Sequence, residues 1–268
     1  MIQRNGKKKP NTIMDLLYKK FVQEYKKLFI NNENEDRNKY IVWQQLEKAH
    51  WHYLDYIKSL KMEENYNTET KNNNNNSFTI FVRRMGRLHS WLQNIISIHD
   101  VDLLEKEQQL YEKWKKMIPV YGCILFDEGM NHVLLVRGKH EKSSWTFPRG
   151  KLDITKEKGD NQNNNGVACA IREVFEEIGL NVSDKIDKNK SVSISFGEQK
   201  VTMYVIEGIN KEKTRLFINS KEIGEYVWFS VEKLCMESLL LDQNQYRFVF
   251  PFIDFIRRWK FVHDCHNH

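Results

Sequence analysis

Apolar residues recur at helical spacing through the first third of the chain. From Ile13, the residues Leu16, Leu17, Phe21, Tyr25 and Leu28 predict a helix, closed by the polar stretch Asn31 to Asn38. A second helix is predicted over 40–60, with Trp43, Leu46, His50, Tyr53, Leu54, Ile57 and Leu60 on one stripe. Residues 64–77, with five successive asparagines at 72–76, read as a low-complexity loop. Helical periodicity returns over 78–98 through Phe81, Leu88, Trp91, Leu92 and Ile95, and again over 101–117. The basic residues 1–10 precede all of this as a disordered tip.

Near residue 118 the period changes. Residues 120–126 and 132–136 are extended apolar runs separated by a turn at 127–131. Further strands are predicted over 192–196, 201–206 and 225–229, the first alternating Val192, Ile194 and Phe196 with Ser193 and Ser195. Val167, Ala170, Ile171, Val174 and Ile178 form one helical stripe that stops at Gly179. A last helix opens at Pro251, with Phe252, Phe255, Ile256 and Trp259 along one side. The pattern predicts an α+β chain: an all-α domain over 1–115, then an α/β/α sandwich over 116–268 ending in a basic helix.

Composition adds bounds. In 268 residues, 40% hydrophobic content with 12% aromatic suffices for real cores. No apolar run reaches membrane-spanning length, and no signal peptide is visible. The four cysteines form no CxxC pair and read as free thiols in a reducing compartment. The net charge of +6 suits a polyanionic partner but says little alone. His263, Cys265, His266 and His268 lack structured spacing and are assigned no site.

The chemistry concentrates on the helix ending at Gly179. At roughly 100° per residue, Glu173, Glu176 and Glu177 gather on a flank away from the apolar stripe. One reading is a solvated acidic face. The other is a cation site, because crowded carboxylates repel unless a cation neutralises them, and hard divalent ions prefer oxygen ligands.

The nonapeptide from Arg172 to Leu180 resembles the second half of the Nudix box, and Gly150-Lys151 with Glu157 resembles its first half. The separation of Gly150 from Arg172 is eight residues longer than the family pattern, with Asn161 to Asn165 read as a surface insertion. Trp51 and Asp55, one turn apart, lie outside the apolar stripe of their helix. They form either a secondary packing contact or a stacking face with a carboxylate, which suits a positively charged base. These residues, the Pro119–Gly122 and Ser144–Lys151 segments and Phe250-Pro251-Phe252 are together similar, in order, to the decapping branch of the Nudix hydrolases.

That resemblance implies hydrolysis of the 5′ cap of mRNA with Mg²⁺ or Mn²⁺. It implies metal contacts from Glu173, Glu176, Glu177, Glu222 and the Gly150 carbonyl, with Glu222 as general base. Cap contacts would come from Trp51 and Asp55. Phosphate or RNA contacts would come from Arg149, Lys151, Arg172, Arg247, Arg257, Arg258 and Lys260. It further implies capped mRNA as partner, an activator subunit on the first helices, a composite cap site formed on domain closure, no membrane or DNA partner, and a cytoplasmic location including RNA granules. Taken alone, Glu222 reads as an exposed loop charge, and the cations of the last helix complement its dipole. Arg172 serves either to orient the carboxylates or to touch phosphate. A rival reading is a Nudix hydrolase of small nucleotides such as dinucleoside polyphosphates. Another is an RNA-binding scaffold without chemistry.

Overall fold

The computed structural model describes residues 13–29, 35–59, 77–140, 142–153, 162–218, 222–236 and 241–266. The expected basic tip, the asparagine-rich loop over 64–76, Leu60 and Glu157 lie outside the described residues. The chain divides into two compact units, Met1–Lys115 and Lys116–His268.

The first unit is helical. Its first helical stretch changes pitch: α1 over Ile13–Leu17, a π turn over Tyr18–Val22, then a 3-10 stretch over Gln23–Phe29. Its buried line is Met14, Leu17, Tyr18 and Val22, and Leu16, expected on the stripe, is exposed. The reason is spacing: steps of three, one and four keep Met14, Leu17, Tyr18 and Val22 on one side, and Leu16 falls off it. Helix α2 spans Glu35–Ser59, so Glu35 to Asn38, expected as a break, belong to it. Its fully buried Trp43 stacks near Tyr111 and meets Phe78 edge-on. The expected single helix over 78–98 is instead α3 over Ser77–Leu88 and the short α4 over Ser90–Gln93, interrupted at His89. Helix α5 spans Val101–Met117, and its Tyr111 hydroxyl and Lys115 both donate to Glu47 of α2.

The second unit is a seven-stranded mixed sheet between helical layers. Strand β1 (Val120–Asp127) pairs antiparallel with β2 (His132–Gly138) and parallel with β6 (Gln199–Ile209), while β5 (Ser191–Phe196) continues beyond β6. Two short strands missing from the periodicity complete it: β3 (Trp145–Thr146) on β2, and β4 (Arg149–Lys151) on the start of β1. Strand β7 (Ile223–Ser230) pairs with β2.

Both faces of β1 are covered, which explains its uninterrupted apolar run. Cys123 and Leu125 join Ala170, Val174 and Ile178 of α6 (Gln162–Ile178) on one face. Ile124 and Phe126 join Phe252, Ile253 and Ile256 on the other, where the 3-10 turn Phe250–Phe252 leads into α9 (Ile253–His266). Two short helices precede it: α7 (Val231–Met236) and α8 (Gln243–Tyr246), the latter capped by Asp242. Helix α6 begins at Gln162, so the asparagines at 163–165, expected as insertion, form its first turn.

Candidate active site

Strand β4 brings the segment Arg149–Lys151 against α6. The register sets Tyr121 opposite Gly150 and Gly122 opposite Arg149. The fit at Gly150 demands glycine: a Cβ there would lie 2.1 Å from Glu173 Oε2. The Gly150 carbonyl and the Glu173 carboxylate are thus neighbours across the loop–helix contact.

The three box carboxylates have different surroundings. Glu177 is buried and accepts the Arg149 amide at 3.1 Å. Burial, reinforced by the negative charges of Glu173 and Glu222, pushes its carboxyl up to about 8. Burial likewise raises Glu173, against the opposing pull of Arg172, and the charges of Glu176 and Glu222 add to the rise. Glu176 is exposed. Arg172 donates from Nη1 to Glu173 at 2.5 Å and to Glu176 at 2.9 Å, pairing with both. Glu222, on the exposed segment that enters β7, acts electrostatically on both buried carboxyls, so the tertiary fold brings it to the box.

Two contributors were not singled out from the sequence. Cys169 Sγ lies 3.9 Å from the Gly150 carbonyl and accepts from Arg172 Nη2 at 3.4 Å. Its place four residues before Glu173 puts it on the same helix flank, which the 3.6 period could have flagged. Phe248 lies under two guanidiniums, those of Arg149 and Arg247, at 4.7 and 4.6 Å from its ring centre.

The donor chemistry suits a hard divalent ion: carboxylates and a peptide carbonyl, with one carboxyl raised by burial and by the negative charge of its neighbours. Among the described residues, no three His, Cys, Asp or Glu side chains converge into a ready-formed metal cluster. Arg172 draws Glu173 and Glu176 toward itself while Glu177 turns inward to the Arg149 amide.

Residues 116–251 match the family model described as NUDIX domain. The chain belongs to the NUDIX family. Nudix hydrolases generally use divalent metal ions. The chain is 30% identical over 218 residues to the mRNA decapping complex subunit 2 of Schizosaccharomyces pombe, covering 80% of this chain and 26% of that protein. It is 31% identical over 188 residues to the m7GpppN-mRNA hydrolase of Saccharomyces cerevisiae, covering 70% of this chain and 17% of the relative. It is 36% identical over 124 residues to the mRNA-decapping enzyme subunit 2 of Arabidopsis thaliana, covering 46% and 31%. The chain therefore spans less than a third of the length of each of these relatives.

The remaining expected contacts fall in three places. Lys151 is exposed at the end of β4, beside the Nudix box. On α9, Arg257 pairs with Asp254 at 3.0 Å and donates to the Cys235 carbonyl. Lys260 pairs with Asp264 and reaches Asn131 in the β1–β2 turn. That turn is at the opposite end of β1 from Gly150, roughly 20 Å away at about 3.3 Å per residue. Arg258 lines a groove of about 590 Å³ with Phe255, Trp259 and Lys190. In the first unit, Trp51 is 63% exposed and Asp55 is exposed one turn further along α2.

Proposed function

We propose that this chain hydrolyses the 5′ cap of mRNA, releasing 7-methyl-GDP and a 5′-monophosphate RNA. The observation that carries the reading is the electrostatic coupling of Glu173, Glu177 and Glu222 beside the Gly150 carbonyl. The names of its relatives supply the substrate class.

Glu173, Glu176, Glu177 and the Gly150 carbonyl would hold Mg²⁺ or Mn²⁺. Such an ion neutralises phosphate charge and lowers the pKa of bound water. Glu222 takes the proton of the attacking water, whose oxygen bonds to the β-phosphorus as the bond to the RNA-side phosphate oxygen breaks. Arg172 orients Glu173 and Glu176 through its fork. Lys151, exposed at the strand end, meets phosphate charge. Trp51 stacks on the methylated guanine while Asp55 accepts from its edge N–H groups. The cations Arg257, Arg258 and Lys260 meet the RNA body, an activator subunit docks on the first helices, and the setting is cytoplasmic.

Glu222→Gln tests the reading. It is expected to abolish release of 7-methyl-GDP from capped RNA while leaving the folded signal unchanged. Full activity in that variant removes Glu222 as the base. Equal turnover of capped RNA and of free cap dinucleotide by the wild-type chain removes the RNA body from recognition.

A further inference from the structure

Strand β7 carries one residue more than the stretch of β2 it faces. Ser230 to Glu225 face His132 to Arg137 in unbroken register, but Gly138 faces Ile223, so Gly224 is extra. Such a β-bulge bends the strand and re-aims the side chains beyond it. Val227 and Phe229 pack in the core that holds Phe252 and Ile256, and straight alternation would send Ile223 there as well. Ile223 instead joins Val174 and Ile178 of the box helix in the opposite core. The bulge has room only for glycine, because a Cβ at position 224 would lie 2.8 Å from Lys139 Cα. It therefore sets how the turn that carries Glu222 meets the box helix, whose Glu173 and Glu177 feel the Glu222 charge.

The residue next to the bulge is held. Arg137 and Glu225 face each other across β2 and β7 and form an ion pair through Nη2 and Oε2. On the other side of β2, Arg137 faces Trp145 of β3, and its guanidinium lies 4.8 Å from the Trp145 ring centre. One side chain thus spans three strands, gripped by a carboxylate and by an aromatic face. The indole is buried, which makes it a fixed stop for the guanidinium. The Glu225 side chain is half exposed, and exposed ion pairs add little stability. What this pair can do is fix geometry beside the bulge.

We propose that Arg137 is a positioning residue for hydrolysis: resting on Trp145, it grips Glu225 and so fixes the Gly224 bulge that presents Glu222. The inference rests on Glu222 as the base. Proton transfer needs the base within hydrogen-bond reach of the attacking water, and a misplacement of about 1 Å costs up to about a hundredfold in rate. Substrate and metal contacts persist when the grip opens, so the loss belongs to kcat.

The test is steady-state hydrolysis of capped RNA by the full chain, with Mn²⁺ titration and thermal melting of each variant. Arg137→Met and Glu225→Thr should each lower kcat about tenfold or more, with KM, Mn²⁺ affinity and melting temperature close to wild type. The double variant should be no slower than the worse single one, because both substitutions open the same grip. Arg137→Lys returns the charge without the planar fork and should recover part of the loss. Gly224→Ala should also lower kcat, by forcing the bulge away from Lys139. Wild-type kcat in Arg137→Met and Glu225→Thr overturns the proposal, as does wild-type kcat in Gly224→Ala. So do additive losses in the double variant, or a fall in Mn²⁺ affinity that matches the loss of rate. A matching fall in melting temperature with no recovery in Arg137→Lys makes the pair structural and overturns it too. Full activity of Glu222→Gln removes the base itself, whereas an inactive Glu222→Gln beside unimpaired Arg137 and Glu225 variants removes only the grip.

Discussion

The amide of Phe217 donates to the carbonyl of Ile178 at 2.9 Å, where the box helix ends. Gly179 makes the approach feasible: its φ is +70°, and a Cβ there would lie 3.1 Å from the Phe217 Cβ. The segment that delivers Glu222 five residues later is thereby pinned to the helix that carries Glu173 and Glu177. Gly179→Ala should cost about 1 kcal/mol of stability through backbone strain. It should also lower kcat by about tenfold if the strain moves Glu222, a 1.4 kcal/mol effect. Steady-state kinetics beside thermal melting checks this; a lower melting temperature with unchanged kcat means the contact does not position Glu222.

Gly150→Ala addresses the loop–helix contact. Its methyl group would fall 2.0 Å from Glu173 Cδ, so β4 and the carboxylate must separate. We expect weaker Mn²⁺ binding by titration and at least a tenfold loss of activity, using the same rate scale. Unchanged Mn²⁺ affinity sinks the pairing of the Gly150 carbonyl with Glu173.

The buried Glu177 predicts an alkaline weakness in metal-free protein. Its folded carboxyl is raised to about 8 from the ordinary 4.5, so the folded state holds a proton that the unfolded state has lost. That stability is full below pH 4.5 and disappears as pH rises toward 8. Melting curves in EDTA should therefore fall across this window, and Glu177→Gln should flatten the fall. A variant with the same pH slope as wild type places the effect elsewhere.

Trp51 is 63% exposed, so Trp51→Ala should leave stability within about 0.5 kcal/mol of wild type. Discrimination between methylated and unmethylated caps should drop several-fold, on the scale of a lost cation–π contact. Competition between the two caps measures it. Unaltered preference retires Trp51 as the stacking residue.

Much of the architecture is legible along the chain because periodicity reports burial. The bounds of α5 match the expected 101–117, and the unbroken apolar run of β1 reflects a strand covered on both faces. Where the pattern fails, the cause is local. Strands β3 and β4 are too short to show alternation, and Leu16 looks apolar in a row whose buried line runs through Met14, Leu17 and Tyr18.

The order of residues alone determined the box helix, its acidic flank and its glycine stop, because helical spacing converts sequence distance directly into position on a cylinder. Tertiary structure alone decided that Glu222 joins Glu173 and Glu177, that Glu177 is buried against the Arg149 amide, and that Arg149 and Arg247 meet at Phe248. Those contacts join residues 28 to 98 positions apart in the chain. They exist only once the sheet has set β4, β7 and the turn after α8 around the same helix end, and no local period encodes that closure.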